Sequence, residues 1–362
     1  MAGYPGPDGY FVCGGHAGGA RPRGVGHPLR LSRPPSALRR KGGVMERPVK
    51  TYTRRGWWHN RLSRLGLSWR RLRENIQSLL SHPLGLTGVI LVAIFGSMVL
   101  AHPILMATVW PPRLYDPILG FDSTVMPHPT PPSWRHLLGT DGMGRDVLSQ
   151  LLAGARTSFS VGFLSAIVAV TISTLVGGIA GYYDGALDAA LMGIADVFVL
   201  LPAPVVLLVF GLLLRMEWPV VAVAYGVLAG LGTQAIVVKS HTLTIKAKPF
   251  IEAAIIAGGG KGHVIHRHIL PGLLPLTIVH AVFTVVGAVL TESLLAFFSR
   301  TSYYLSWGMM IWVGQQTFRL FTIEGQWHAI ASPAIAIMLF CSAFYLIGRA
   351  LDDVINPRLR RR

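Results

Sequence analysis

Six stretches of this chain are too long and too apolar for any ordinary water-soluble interior, and they bound every fold open to it. They run from about Leu84 to Val109, Thr157 to Tyr182, Leu187 to Leu214, Trp218 to Val238, Leu273 to Phe298 and His328 to Ile347. At about 1.5 Å per residue, roughly 20 apolar residues cross a hydrocarbon core of about 30 Å. Lipid offers the backbone no hydrogen-bond partner, so each crossing must be a helix. The expected fold is all-α: a polytopic membrane protein with six transmembrane helices. Composition agrees, with 51% hydrophobic and 14% charged residues and a mean hydropathy of +0.49.

Charge then orients the spans. The formal net charge is +17, but residues 1–80 concentrate the excess, with only Asp8, Glu46 and Glu74 as acids among many arginines. The bulk charge is therefore a tail property, and no nucleic-acid partner follows from it. Residues 1–44 are rich in Gly, Pro and Arg without an apolar period, which predicts a disordered basic tail; Met45 is an alternative start. In residues 45–80, Trp58, Leu62, Leu65, Trp69, Leu72 and Ile76 recur at helical spacing while arginines fall elsewhere on the wheel. That pattern predicts a basic amphipathic helix lying among the lipid headgroups on the cytoplasmic side. The Pro-rich loop 110–138 carries sparse, balanced charge and is expected outside. Residues 139–350 form the expected core, with 351–362 a second basic cytoplasmic tail. Cys13 and Cys341 imply no disulfide framework.

Between the fourth and fifth spans lies KSHTLTIKAKPFIEAAIIAGGGKGHVIHRHILP, Lys239 to Pro271, too basic to stay in lipid and expected in the cytoplasm. Pro249 suits a first helical position, Glu252 falls where the helix dipole favours an anion, and Gly258, Gly259 and Gly260 end the helix. Phe250, Ala253, Ala254 and Ala257 share one face, small enough for another protein to approach closely. A second helical piece from about His263 to Ile269 is expected to end before Pro271. The whole reads as a lever joined to a membrane helix. The glycines are no phosphate loop, since Ile255 and Gly262 break that pattern at two positions. His263, His266 and His268 lack an accompanying carboxylate or cysteine and read as solvated rather than metal-binding.

Glu252-Ala253-Ala254, Gly258 and His268-Ile269-Leu270-Pro271 resemble the EAA loop of the membrane subunits of bacterial binding-protein-dependent ABC importers. LGTDGMGRDVLSQLLAGART, Leu138 to Thr157, is similar to a block of the dipeptide/oligopeptide and nickel branch of those permeases. The resemblance covers roughly Ser81 to Arg360. It implies a type I ABC importer permease fold in the bacterial cytoplasmic membrane, and a coupling helix carrying Glu252, Ala253, Ala254, Gly258, His268, Leu270 and Pro271. It further implies a second homologous permease, one or two ATPase subunits that hold ATP and Mg²⁺, and an extracytoplasmic solute-binding protein. No cofactor is expected in this chain. Peptides are the implied cargo; nickel or another small solute is the alternative, and an intramembrane enzyme the remote one.

Other polar residues stay open between two readings. Thr140 or Asp141 can cap a helix carrying Val147, Leu148, Leu151 and Leu152, making the block an elbow; alternatively Asp141, Arg145 and Asp146 form a polar cluster at the outer mouth. Asp196, some two turns inside the third span, serves either subunit packing or a pathway lining. Pro202 and Pro204 are expected to kink that span. Glu292 matches the acid of the family's EASLSFLG block, although the glycines that follow there are missing after Phe298, while Ser306-Trp307-Gly308 resembles its PSWG. Motifs for hydrolysis are absent: there is no HExxH, no GxSxG and no Walker A. Because residues 1–44 show no apolar pattern, a chain beginning at Met45 is expected to support undiminished uptake, measured with radiolabelled substrate in cells lacking the full-length protein.

Overall fold

The computed structural model describes residues 77–298, 304–320 and 327–355. The expectations for residues 1–44, for nearly all of 45–80 and for the tail beyond 355 fall outside the described residues. Within them every regular element is helical, apart from one isolated bridge between Thr140 and Asp146. Four helical stretches are long and apolar enough to cross a membrane, and six spans result if each of two bent pairs counts as one.

The first span, α1, is Pro83–Thr108, opened by Pro83 where no backbone N–H is required. A Pro-rich connection, including a one-turn helix Pro112–Tyr115, leads to α2, Val147–Tyr182. Its cap is Asp146, whose carboxylate accepts the Ser149 N–H at 2.6 Å, rather than Thr140 or Asp141. Asp141 is committed elsewhere: it accepts the N–H groups of Met143 and Arg145 and closes its own turn. The third span is a bent pair, α3 Ala186–Leu200 and α4 Ala203–Leu213, turning by 74° at Pro202, which has no N–H to continue the helix. The fourth is α5 Trp218–Leu231 with α6 Thr233–Lys246, bent by 43° at Gly232.

A short helix α7, Pro249–Ile256, precedes the fifth span. The expected stop before Pro271 does not occur. Lys261–Val264, a π-turn at Ile265–Ile269 and α8, Leu270–Phe298, run on as one 38-residue rod. The π-turn explains it: the Leu270 N–H reaches back to the Ile265 carbonyl, and the widened turn accommodates a proline that would otherwise clash with the preceding turn. The connection between the fifth and sixth expected spans contains a further helix, α9, Trp307–Leu320. The last span, α10, is Trp327–Ile355.

Helix α2 sits at the centre and packs against α5, α6 and α8. Its buried positions are mostly small, including Gly154, Ala155, Ser158, Gly162, Ala166, Ala169, Gly177 and Gly181. Helices in lipid gain little from apolar association as such, so close backbone approach through small residues is what holds them together. At Gly230 of α5 a Cβ would lie 2.7 Å from the Ala169 carbonyl oxygen and 2.9 Å from its Cα. Backbone cannot yield there. Gly230→Ala should therefore destabilise by about 1–3 kcal/mol through overpacking, read as a lowered thermal midpoint in detergent, whereas Gly96→Ala, which meets nothing within 4 Å, should not.

Candidate functional site

At one end of the bundle α7 lies across the span termini. Pro249 is its first residue, Glu252 its first-turn acid, and no side chain caps it at Lys248. It ends through Gly258 at φ +86°, a left-handed conformation that costs glycine nothing; the N–H groups of Gly258 and Gly259 close on the Ile255 and Ala254 carbonyls. Ile251 alone on this helix is withdrawn, at 1% exposure. It joins a cluster with Val238 and Ile245 of α6, Val264 and Ile269 of the π-turn segment, and Leu273 of α8. Helix α7 therefore shares one apolar core with the base of the rod.

Polar contacts brace the same end. Lys246 reaches the Asp184 carboxylate at 2.8 Å and the Tyr182 carbonyl at 2.9 Å, Lys239 pairs with Asp188 at 2.6 Å, and the Lys261 ammonium stands 5.5 Å from the Tyr183 ring centre. A cavity of about 640 Å³ opens between α7 and the Tyr182–Asp184 turn. The outward surface of α7 is wider than the alanines suggest. Ala253 and Ala257 are exposed and Ala254 is half-buried, but Phe250, Ile255 and Ile256 are exposed too, Ile256 by 80%. His268 is half-buried with its ring centre 6.0 Å from that of Phe250, Leu270 is half-buried and Pro271 exposed. Among the described residues no three His, Cys, Asp or Glu side chains are placed to hold a metal ion.

The opposite end carries two polar groups where the sequence suggested one. Arg145 donates from Nε to Asp141 at 2.8 Å, and Gln150 adds a bond to the same carboxylate at 3.0 Å. Asp146 turns away to His136, 2.8 Å from Nδ1. The other ring nitrogen, Nε2, lies 3.2 Å from Asp122, which Arg135 also meets at 2.8 Å. Burial pushes the Asp122 carboxyl up, but bonds from the Thr124 hydroxyl and amide, His136 and the Arg135 charge outweigh it and hold the group at about 2. Burial is also the largest influence on Asp146 and raises it.

Asp196 and Glu292 are far apart in character. Asp196 is exposed on α3, whereas Glu292 on α8 is fully buried. Residues 173–361 match the family of binding-protein-dependent transport system inner membrane components. The chain belongs to that family. The dipeptide transport system permease protein of Bacillus subtilis is 30% identical over 296 residues, covering 81% of this chain and 86% of the relative. The oligopeptide transport system permease protein of Haemophilus influenzae is 33% identical over 227 residues, 62% of this chain and 71% of the relative. The glutathione transport system permease protein of Pectobacterium atrosepticum is 30% identical over 231 residues, 63% and 75% respectively.

The family match thus takes in α7, the π-turn, Asp196 and Glu292 of this inner membrane component, while the 139–146 turn lies ahead of it. Sequence reasoning missed Ile251, Asp122 and His136 as organising residues. Ile251 had a partial signal, since it and Ile255 are the apolar residues on the face opposite Ala253; Asp122 and His136, fourteen residues apart in a Pro-rich loop, had none. Truncating Ile251 to Ala should cost about 2–5 kcal/mol of local stability, seen as faster amide hydrogen exchange across residues 250–260 with exchange around residues 141–150 unchanged.

Proposed function

We propose that this permease is the membrane subunit of a peptide importer of the bacterial inner membrane, driven by separate ATPase subunits that bind ATP and Mg²⁺. The observation that carries this is the construction of α7: a short helix exposed on nearly all sides and cored only through Ile251, which shares its apolar cluster with the base of a rod long enough to cross the bilayer. Such a helix is built to be held by something else and to move with the rod. Peptide cargo is supported by the names of the dipeptide, oligopeptide and glutathione permeases to which the chain is similar.

On this reading α7, with Glu252, Ala253, Ala254 and Gly258, docks in a cleft of the ATPase on the cytoplasmic side, and His268, Leu270 and Pro271 join it to α8. Both termini lie on that side, as does the pairing of His82 with Asp353 at 3.7 Å. The Asp141–Arg145 pair and the Asp122–His136–Asp146 group then stiffen the outer face, where an external solute-binding protein delivers cargo. Asp196 and the exposed apolar residues around it face a second, homologous permease across the pathway. ATP-driven closure of the ATPases shifts α7 and α8 together and re-aims that pathway.

The bulky substitution Ala253→Trp tests the docking directly, because Ala253 is exposed and its replacement leaves the Ile251 core intact. In reconstituted complexes it should abolish substrate-stimulated ATP hydrolysis while membrane insertion is retained, and Ala254→Trp should do the same with some added loss of stability. Stimulation at the parental level in the Ala253 variant would rule out docking through α7.

A further inference from the structure

A groove runs along the surface between α2 and the base of α8, and the importer reading gives it no occupant. It consists of two openings of about 320 Å³ and 370 Å³. Their walls share Thr174, Leu175, His266 and Leu270, so the two are continuous. On α2 the lining residues recur from Val170 to Ile179 at helical spacing, a run of about 14 Å at the helical rise. That is close to one leaflet, half of a hydrocarbon core of about 30 Å. The walls are mainly apolar, and Leu175 and Leu274 are exposed.

One end of the groove has a different character. Tyr183 lines it and also lines the cavity beside α7, so the groove opens toward that cavity. The cavity wall sets Lys246, Lys248 and Lys261 against Asp184 and Glu252, which leaves positive charge in excess. Lys246 is already paired with Asp184. Among the described residues neither Lys248 nor Lys261 pairs with a carboxylate, and the Lys261 ammonium faces the Tyr183 ring instead. A small soluble anion would use these lysines and leave the groove empty. A helix of a neighbouring subunit would fill the groove and leave the lysines unpaired. A molecule with an anionic head and an apolar tail satisfies both, and basic pockets between spans on the cytoplasmic side are suited to anionic headgroups. Gly178 lies along the path of the tail: a Cβ there meets only the Leu273 Cδ1, at 3.8 Å, so the floor has room at that point.

We propose that the groove and the cavity together bind one anionic phospholipid of the inner leaflet, its phosphate held by Lys248 and Lys261 and one acyl chain lying between α2 and α8. Only the side of the membrane is taken from the importer reading. A lipid bound there touches α7, the Tyr182–Asp184 turn and the base of the rod at once, and so reinforces the joint that Ile251 forms.

The test places the full complex in nanodiscs with trace phosphatidylglycerol carrying a photoactivatable diazirine chain, or phosphatidylcholine with the same chain, and locates cross-links by mass spectrometry. Phosphatidylglycerol should label residues 170–179 and 270–277, and the choline lipid should label them about tenfold less. Replacing Lys248 and Lys261 together by alanine should bring phosphatidylglycerol down to the level of the choline lipid. Gly178→Leu, which puts a side chain into the groove, should remove label from both stretches although the lysines remain. Equal labelling by the two lipids would overturn the proposal by reducing the groove to bulk lipid contact. So would parental labelling in either variant, or displacement of the label by millimolar inorganic phosphate, which would make the lysines a site for a free anion. Absence of label from both stretches, as when the second permease fills the groove, would overturn it too. The comparison of the two lipids in the parental complex decides the matter even where a variant fails to assemble. Labelling is read without ATP or substrate, so failure of the importer reading is separable: it would appear as parental stimulation in Ala253→Trp, whatever the lipid does.

Discussion

Whatever α7 transmits depends on the burial of Ile251. Removing one isoleucine side chain from water contributes about 1.5–3 kcal/mol, and here the side chain lands among residues from α6, the π-turn and α8 at once. The neighbouring ion pairs cannot substitute for it. Asp184 is 82% exposed, and pairs of that kind are worth about 0–1 kcal/mol. Lys239 and Asp188 are better enclosed but join α6 to α3, not to the lever. The apolar cluster therefore sets the stiffness of the joint, and the lysines set the angle at which α6 enters it.

Stiffness also requires that the joint not be a hinge. Two prolines, Pro271 and Pro275, stand at the start of α8, and a proline in a regular helix costs about 3 kcal/mol or more. The Ile265–Ile269 π-turn removes most of that conflict by shifting the hydrogen-bond register before Pro271 arrives. The result is a rod with a local bulge instead of two helices with a flexible corner, and such a bulge is common at functional positions. The rod Lys261–Phe298 therefore runs unbroken to the far end of α8, and α7 is tied to its base through the Ile251 cluster.

Much of this was legible in the residues. Long apolar runs gave the helices, Pro249 and Gly258 bounded the lever, and Pro202 marked the bend of the third span. What stayed hidden involved choices between neighbours or contacts across the fold. Asp141 and Asp146 are both good caps, and only the turn closed by Asp141 and Arg145 decides between them. Lys239 and Lys246 read as generic inward-facing charge, since Asp188 and Asp184 lie more than fifty residues away. The π-turn has no sequence signature beyond the proline it accommodates, and α9 was obscured by the polar residues that surround Trp307–Val313.

The two bent spans show where the described chain is incomplete as a membrane object. A bend of 74° interrupts the helical hydrogen-bond ladder at membrane depth, and such backbone is tolerated only against protein or in a water-lined cavity. Gly232, at the bend of the fourth span, sits where a Cβ would lie 3.4 Å from the Phe198 carbonyl oxygen, so the two breaks face each other. Within this same region Asp196 is exposed, along with Ile194, Val197 and Leu200. An acidic side chain turned toward hydrocarbon is costly. The surface of α3 and α4, with the paired bends and Asp196, is the one the proposal assigns to the second permease.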